Sequence, residues 1–527
     1  MQPPCFYRAV LFGVSPTDSQ IFTEKFLLSY LWKSVKSVGD HQTRKFASMN
    51  EKYEAVIGLE VHAQLLTQTK LFCGDSIKFG AAPNTQVSPV SLAHPGTLPV
   101  MNKEVTELAV KLGIAMNCSI VQHNYFARKN YFYPDLPKGY QVSQHTAPIC
   151  TGGELTIQTQ GGKKNVQLNR IHMEEDAGKS MHDLFDDYTA IDLNRAGTPL
   201  LEIVTEPDMH SAEEAYAYLT ELRRLVRWLG VCDGNMEEGS MRCDANISVR
   251  LKGEKKLGTR VEVKNLNSIR NVKRAIDLEL DRLISITERG EQVVQETRSY
   301  DADNNTTFSL RSKEEADDYR YFPEPDLPPF NITEAYINEI KAGMPELPQA
   351  LHEKFTSKYH LTEYDAAQLS LEKNEADLFE HLAVETGNYK SAANWVIGPV
   401  RNYCTEKNIS IAEFPVTIPA LAALIKYTDA GNIHFNTASG ILMEAMIKEK
   451  SGDAEALAVS LNLVQENDSE ALGKWINEAL AAMPEKVKEY RSGKKGLVGL
   501  FAGQVKKLSK GKADMGAVTK MLEERLK

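Results

Sequence analysis

The segment VIGLEVHAQL at residues 56–65 alternates apolar and polar side chains, with the period of two that is typical of a β-strand. Its apolar residues fall on one face, whereas Glu60 and His62 fall on the other. The same alternation recurs in RCDANISVR at 242–250 and in RVEVKN at 260–265. We therefore predict that these strands share a sheet whose polar sides line a charged cradle. An ordinary solvated sheet face is the alternative.

The distribution of residue types along the 527-residue chain predicts an α+β protein of several domains, because the chain is too long for one compact core. Residues 52–340 are rich in glycine, proline and alternating segments, which predicts a strand-rich cradle domain. The proline-rich stretch FPEPDLPPF at 322–330 marks the approach to its end. Alanine- and leucine-rich segments then predict an all-α region at 341–450 and a basic helical tail domain at 451–527.

The composition excludes several classes of protein. Hydrophobic residues make up 42% and charged residues 25%, and no apolar run approaches the roughly 20 residues of a membrane span, so we expect no membrane partner. The formal charge of -10 means that a nucleic acid must be held by a local basic patch. The seven cysteines form no CxxC pair, which argues against a disulfide framework and favours a reducing, cytoplasmic environment.

Residues 1–48 form an N-terminal extension of uncertain status. The extension contains the apolar stretch FLLSYLW at 26–32, but it has no small-residue cleavage pattern. Asp18 and Asp40 count against a mitochondrial transit peptide, so a mitochondrial address is the less favoured alternative to the cytoplasm. Met49 is an alternative start of translation.

The charge of the last 42 residues, 486–527, is opposite to that of the whole chain: 12 lysines or arginines stand against 4 acids. The apolar residues within this stretch follow the i, i+3, i+4 spacing of an amphipathic helix; they are Leu497, Leu500, Phe501, Val505 and Leu508. Two interpretations stay open. The lysines either form a solvated helix face or contact the phosphates of a nucleic acid.

Two polar segments could carry chemistry. Glu60 and His62 could hold a divalent ion or act as an acid/base pair, although a simple hydrogen-bonded couple is the commoner arrangement. HMEEDAGKS at 172–180 places three acids beside Lys179, which suits magnesium with phosphate, or else a solvated turn. Its AGKS ending is not a P-loop, because Met173 stands where that motif needs glycine.

The segment RKNYFYPDLPKGYQVSQ at 128–144 interleaves basic and aromatic side chains. Lys129 and Lys138 could contact phosphates, and the tyrosines between them could stack on a base. An aromatic core with basic neighbours is the alternative interpretation.

Eight ordered segments together resemble the B subunits of aspartyl/glutamyl-tRNA amidotransferases. They are GLEVHAQL, RKNYFYPDLPKGYQVSQ, HMEEDAGKS, DLNRAGTPLLEIVTEPD, MEEGSMRCDANISVR, VEVKNLNS, QETRSYD and DDYRYFPEPDLPP. The tail GKKGLVGLFAGQVKKLSKGKAD is also similar to the C-terminal domain of that family. The resemblance extends from about residue 52 to the C-terminus.

The resemblance implies a carbon–nitrogen ligase that converts misacylated Glu-tRNA(Gln) or Asp-tRNA(Asn) to Gln-tRNA(Gln) or Asn-tRNA(Asn). This subunit would use ATP and Mg²⁺ to phosphorylate the carboxylate, and ammonia would then displace the phosphate. The ammonia would be channelled from an amidase A subunit, with a small C subunit completing a heterotrimer. The sequence leaves open whether Asp-tRNA, Glu-tRNA or both are substrates.

The resemblance also implies roles for particular residues. The magnesium ligands would be Glu60, His62 and Glu175, with Glu174, Asp244 and Glu262 as further acidic candidates. The catalytic set would be Glu60, His62, Glu175 and Lys264. Contacts to ATP phosphates or to the tRNA acceptor end would come from Lys129, Lys138, Arg250 and Lys264. The tRNA body would be held by Lys494, Lys495, Lys506, Lys507 and Lys510.

Some members of the family have a zinc site built from CxC and CPxC segments. The corresponding stretches read FCGDS at 72–76 and VSPVS at 87–91, which leaves Cys73 as the only cysteine of the four. Because a structural zinc site needs four good ligands, we predict no structural zinc.

Two other functions compete with the enzyme. A non-catalytic scaffold that binds tRNA for an amidase would need the basic tail but no magnesium cluster. A free-standing asparagine or glutamine ligase is disfavoured, because the sequence contains neither a glycine- and serine-rich amidase motif nor a plausible Cys/His glutaminase arrangement.

Overall fold

The structure is a computed structural model that describes residues 52–182, 184–312, 319–465, 469–509 and 512–527. The chain divides into two compact units, one that ends at Gly343 and one that begins at Met344. The first unit is rich in strands and the second is helical, so the predicted α+β class is confirmed. The extension at 1–48 and Lys510 lie outside the described residues.

All named strands belong to the first unit. In chain order they are β1 (Tyr53–Gln64), β2 (Ser119–Ile120), β3 (His123–Asn124), β4 (Ala127–Asn130), β5 (Tyr140–Ser143), β6 (Cys150–Thr151), β7 (Glu154–Thr159), β8 (Gly162–Glu175) and β9 (Lys179–Met181). They continue with β10 (Ala190–Asp192), β11 (Pro199–Thr205), β12 (Met241–Leu251), β13 (Val261–Leu266), β14 (Glu296–Asp301), β15 (Thr306–Ser312), β16 (Phe322–Pro323) and β17 (Phe330–Asn331).

The main sheet has the strand order β15-β14-β13-β12-β1-β11-β8-β6-β2, and β7 pairs with β8. Among the described strands of this sheet, β13 and β14 pair in parallel and the other neighbours pair in antiparallel fashion. Smaller sheets pair β9 with β10, β3 with β17, and both β16 and β5 with β4. The strands β1, β12 and β13 are neighbours, which confirms that the alternating segments share a sheet.

The alternation in β1 matches its burial. Ile57, Leu59 and Val61 are almost fully buried, whereas Glu60 and His62 on the other face are partly exposed. A side chain that is buried in this way stabilises the fold by about 1.5–3 kcal/mol. The register is therefore fixed, because a slip by one residue would exchange the two faces.

The described residues of the first unit contain four α-helices, which are α1 (Lys103–Ala115), α2 (Ala212–Trp228), α3 (Ile269–Glu288) and α4 (Glu334–Ala342). Ser211 and Ser268 cap α2 and α3, and each serine oxygen accepts a backbone N–H bond from the first turn. The two helices pack on each other, α2 also packs on β7, and α3 also packs on β12. They cover the apolar side of the sheet and leave the polar side for the cradle.

The second unit contains the remaining helices. They are α5 (Pro348–Ser357), α6 (Glu363–Leu369), α7 (Lys373–Thr386), α8 (Tyr389–Trp395), α9 (Arg401–Lys407), α10 (Ile418–Asp429), α11 (Phe435–Thr437), α12 (Met443–Glu449), α13 (Ala454–Ser460), α14 (Ser469–Ala481), α15 (Pro484–Arg491), α16 (Val498–Leu508) and α17 (Met515–Arg525). Two π-helical turns (Val396–Val400 and Ala438–Leu442) and two 3₁₀ turns (Ile411–Glu413 and Lys495–Leu497) complete them. None of the helices in the described ranges could cross a membrane.

The tail has its own apolar core, to which α16 contributes Phe501 and Val505. Leu500, which the sequence pattern assigned to this apolar face, is instead 48% exposed. The reason is geometric: residues 497, 501, 505 and 508 form one stripe along the helix, and Leu500 lies on its flank. Lys506 and Lys507 are exposed, as the pattern predicted.

Gly178, in the AGKS segment that does not form a P-loop, has a packing role. Its N–H donates a hydrogen bond of 2.8 Å to the Asp135 carbonyl oxygen. A Cβ atom at this position would lie 2.8 Å from that oxygen and 2.9 Å from the Asp192 carbonyl oxygen. The backbone N–H of Gly178 is therefore engaged in a hydrogen bond within the fold.

We expect Gly178→Ala to destabilise the first unit by about 1–3 kcal/mol, because the backbone atoms around the new methyl group cannot move independently. Urea denaturation followed by circular dichroism measures the change. The control is Gly161→Ala, where the nearest atom to the new Cβ is the Thr159 hydroxyl at 3.6 Å. Equal stability of the two variants would contradict the packing role.

Candidate active site

A row of polar side chains crosses the centre of the main sheet. In the pairing register, His172 of β8 lies opposite Glu202 of β11, which lies opposite His62 of β1, which lies opposite Arg242 of β12. Directly paired residues project from the same face of an antiparallel sheet. Four strands therefore bring these side chains together on the polar side.

Glu202 is the centre of this row. Its Oε2 atom lies 3.4 Å from Nε2 of His62 and 3.5 Å from Nε2 of His172. Each histidine also approaches a second carboxylate: His62 lies 3.6 Å from Oε1 of Glu60, and His172 lies 3.7 Å from Oε1 of Glu174. We call these five residues the carboxylate–histidine floor.

Burial and ion pairing act in opposite directions on the floor. Burial raises the pKa of Glu202, but His172 and His62 outweigh it and hold this pKa well below its usual value. Burial lowers the pKa of His172, but Glu202 and Glu174 raise it to about 9 overall. His62 also has a raised pKa, since Glu202 and Glu60 outweigh its burial. The pKa of Glu60 is raised by burial and by repulsion from Glu202.

Lysines flank the floor on two sides. Nζ of Lys129 lies 3.8 Å from Glu174, and Nζ of Lys264 lies 2.6 Å from Asp244 and 3.7 Å from Glu262. Burial lowers the pKa of both lysines, but the neighbouring carboxylates outweigh it and raise each above its ordinary value. The lysines therefore stay charged and could hold phosphate oxygens.

The floor lies in an open pocket, which all of its members except His62 line. Two further groups of side chains line the same pocket: a basic group of Lys129, Arg170, Arg260 and Lys264, and an aromatic group of His145, Tyr319 and Tyr321. The pocket thus combines carboxylates, cations and flat rings.

The structure does not bring Glu175 into the floor. Glu174 and Glu175 are consecutive in β8, so their side chains leave opposite faces of the strand. The Glu175 carboxylate contacts the Lys138 ammonium group and accepts a 2.9 Å hydrogen bond from the Val142 N–H. The side chains of Glu175 and Lys138 line a second pocket, together with Lys70 and Phe72. A catalytic role for Glu175 stays a prediction.

The other predicted residues divide in the same way. Asp244 and Glu262 contact Lys264 at the first pocket. Arg250 instead donates a 2.6 Å hydrogen bond to Glu54, near the far end of the β1–β12 pair, so the structure does not place it at the floor. The described tail lysines belong to the second unit and are Lys494, Lys495, Lys506 and Lys507.

Sequence reasoning missed His172 and Glu202. A signal for Glu202 was present, because it is the only charged residue of the strand PLLEIVT at 199–205, in which every residue except Val204 is buried. A lone carboxylate in such a strand requires partners. His172 carried no comparable signal, since its role depends on its alignment with Glu202 across the sheet.

The floor fits a divalent cation. Its side chains form two overlapping groups of possible ligands, Glu60–His62–Glu202 and His172–Glu174–Glu202, with ligand atoms within 4.8 Å of one another. Carboxylate oxygens are the ligands that Mg²⁺ and Mn²⁺ prefer, and imidazoles are common ligands of transition metals such as iron and zinc. Nδ1 of His172 is buried and has no hydrogen-bond partner among the described residues. This donor set is chemically suited to a metal with bound phosphates.

A hydrogen-bond network joins the segments FCGDS at 72–76 and VSPVS at 87–91. Asp75 Oδ2 accepts bonds from the Ser91 hydroxyl at 2.5 Å, the Ser88 N–H at 2.8 Å and the Cys73 thiol at 3.2 Å. Burial raises the pKa of Asp75, but these bonds outweigh it and lower the pKa. The buried ammonium group of Lys70 lies 4.0 Å from Asp75 and 3.2 Å from the Ser91 hydroxyl. One thiol beside an ammonium group does not fit zinc.

Two family models match the chain. The model described as "GatB/GatE catalytic domain" matches residues 55–338, which include the carboxylate–histidine floor. The model described as "GatB domain" matches residues 377–526, which include the basic tail.

Curated relatives match almost their whole length. The B subunit of the aspartyl/glutamyl-tRNA(Asn/Gln) amidotransferase from Syntrophotalea carbinolica is 49% identical over 478 residues, covering 91% of this chain and 99% of its own. Proteins of the same name from Bordetella petrii and Paraburkholderia phytofirmans are each 50% identical, over 481 and 491 residues. These matches cover 90% and 91% of this chain, and 99% and 100% of the relatives.

The Asp75 network predicts a zinc-independent fold. We expect the purified chain to contain no stoichiometric zinc by elemental analysis, and a chelator to leave its thermal unfolding midpoint unchanged. Asp75→Ala should lower the free energy of unfolding by about 1–3 kcal/mol, because three donors lose their shared acceptor.

The matched gain-of-function variant replaces Asp75, Ser88 and Ser91 together with cysteine. Beside Cys73 this change restores four thiols, and we expect it to bind about one zinc ion per chain. Stoichiometric zinc in the unmodified chain, or a chelator-induced drop in its midpoint, would contradict the prediction.

Proposed function

The chain belongs to the family of aspartyl/glutamyl-tRNA(Asn/Gln) amidotransferase B subunits, and on that premise we propose that it activates and amidates the misacylated amino acid. The substrates would be Glu-tRNA(Gln), Asp-tRNA(Asn) or both, with ATP as phosphoryl donor. The observation that carries the proposal is the carboxylate–histidine floor, flanked by lysines, in one pocket of the matched catalytic domain.

The proposed reaction has two steps. A side-chain carboxylate oxygen of the amino acid attacks the γ-phosphorus of ATP, which forms an acyl phosphate and releases ADP. Ammonia then attacks the acyl carbon, the bond to the phosphate oxygen breaks, and the nitrogen loses a proton. A bare carboxylate resists the second attack, because it lacks a good leaving group.

The residues of the pocket would have separate roles in this reaction. Glu60, Glu174 and Glu202 would hold magnesium, which offsets negative charge on the transferred phosphoryl group when it is bound. Lys129 and Lys264 would contact phosphate oxygens, since each keeps its charge beside a carboxylate. Glu202 would keep both imidazoles in fixed orientations.

We further propose that ammonia comes from a separate amidase subunit in a heterotrimer with a small third subunit. Glu174 lines the first pocket and Glu175 the second, and Gln141 donates bonds to the Glu174 carboxylate and to the Glu175 carbonyl oxygen. The end of β8 therefore separates two adjoining pockets. We assign the second pocket to the incoming ammonia.

The cytoplasmic location of the protein stays a prediction.

The basic tail is proposed to contact the tRNA body. Lys506 and Lys507 follow the buried Val505 on α16, so the tail core presents them at the surface. Lysines contact phosphates without reading base edges, so this contact would be independent of tRNA sequence.

We expect Glu60→Gln to lower amidation of Glu-tRNA by about 100-fold or more, since the floor loses one negative charge without a change of shape. The assay measures Gln-tRNA and ADP in the assembled heterotrimer with ammonium as nitrogen donor. Binding of tRNA should be unchanged. Glu175→Gln, tested in parallel, measures the contribution of the second pocket.

The control is Glu54→Gln, on the same face of β1 but paired with Arg250 away from the floor. It should keep normal amidation. If Glu60→Gln amidates tRNA at the wild-type rate, the reaction takes place at another site. If the wild-type complex binds tRNA without consuming ATP, only the scaffold function remains.

The double variant Lys506→Ala and Lys507→Ala should weaken tRNA binding several-fold and reduce the slope of log affinity against log salt by about 1–2, because fewer counterions are released. Filter binding at several salt concentrations measures both quantities. Lys474→Ala is the control, since Lys474 is also exposed but pairs with Glu470 on α14. An unchanged salt slope in the double variant would remove these lysines from the tRNA contact.

A further inference from the structure

Two aromatic rings stand parallel in the wall of the first pocket. The rings of His145 and Tyr321 have centroids 4.0 Å apart and an interplanar angle of 9°. Tyr319 meets Tyr321 edge to face, with a centroid distance of 6.1 Å. The three-stranded sheet β16-β4-β5 brings them together, because His145 follows β5 and Tyr321 precedes β16.

We propose that the His145–Tyr321 stack binds an adenine ring. This inference rests on the proposed function and names the residues that recognise the base in its pocket. Adenine is common to both substrates, since ATP carries it and the amino acid is esterified to the terminal adenosine of tRNA. With either substrate, the group to be bound is therefore a flat purine that stacks on a flat aromatic ring of the protein.

The geometry of the stack suits a third ring. His145 is exposed, and the stack occupies only one face of its imidazole. Among the described residues, Tyr321 is its only ring neighbour. Tyr321 is partly buried, so it supports His145 from behind while His145 presents a ring to the pocket.

The charge of the stack also suits a neutral base. Partial desolvation of the His145 ring against the pocket wall lowers its pKa, and the positive charges of Arg170, His172 and Lys129 lower it further. Burial likewise raises the pKa of Tyr321 to about 12. Both rings are therefore uncharged at neutral pH, and neither must lose an ion's hydration shell when a base stacks on it.

The stack lies within reach of the groups that would hold the rest of the ligand. It shares the pocket with Lys129 and with Glu174 of the floor. Lys129 Nζ also lies 5.2 Å from the centre of the Tyr319 ring and 3.8 Å from Glu174, which joins the aromatic wall to the floor. A nucleotide stacked on the wall could direct its phosphates toward this lysine.

The test uses the assembled complex with Tyr321→Ala and His145→Ala, and two arms separate the sources of adenine. One arm compares the Kd of ADP with that of inorganic tripolyphosphate by calorimetry in the presence of magnesium. The other compares an acceptor-stem RNA that ends in adenosine with the same RNA lacking that nucleotide. Tyr321→Phe should retain binding because it keeps the ring.

We expect each alanine variant to lose about 5- to 150-fold in affinity in one arm, the range that corresponds to stacking of one base. Loss for ADP but not tripolyphosphate assigns the wall to ATP. Loss for the complete RNA but not the shortened RNA assigns it to the terminal adenosine. Tyr188→Ala, a 76% exposed tyrosine outside the pocket, should change neither.

The proposal is overturned if both alanine variants keep wild-type affinities in both arms, or if Tyr321→Phe loses as much as Tyr321→Ala. Thermal unfolding of each variant confirms that it is folded. Failure of the proposed function gives a different result. If the wild-type complex does not amidate tRNA while Tyr321→Ala still weakens adenine binding, the adenine site is retained and the proposed reaction is discarded.

Discussion

The buried carboxylate of Glu202 is the constraint on which the first unit depends. A carboxylate that is removed from water is strongly destabilising unless cations or hydrogen-bond donors surround it. Glu202 is 5% exposed, and its nearby partners are the two imidazoles of His62 and His172. These partners are on the flanking strands, so only one register of β8, β11 and β1 stabilises the charge. The strand register that stabilises Glu202 is therefore the same register that forms the pocket.

The alternation of a strand explains why two neighbouring carboxylates of β8 line different pockets. Glu174 and Glu175 are adjacent in sequence, yet one joins the floor and the other contacts Lys138. Both carboxylates are buried, and each has its own lysine nearby. Burial raises the pKa of Glu174, but Lys129 and His172 outweigh it and hold this pKa below its usual value.

The network around Asp75 shows how hydrogen bonds to one carboxylate can link two loops. The Asp75 carboxylate accepts hydrogen bonds from Cys73, Ser88 and Ser91. Lys70 contributes the positive charge within the same buried region. Hydrogen bonds to a charged group are stronger than neutral ones, so this network can hold two loops together without a metal.

The sequence by itself determined the strand-to-helix order, the shared sheet of β1, β12 and β13, and the family, because these follow from periodicity and long motifs. Only the tertiary structure decided which polar residues meet. His172, Glu202 and Tyr321 lie far apart from Glu60 along the chain, and strand register together with long-range pairing brings them into one pocket. Periodicity gives the face of a side chain, but cross-strand partners depend on alignment, which no local pattern encodes.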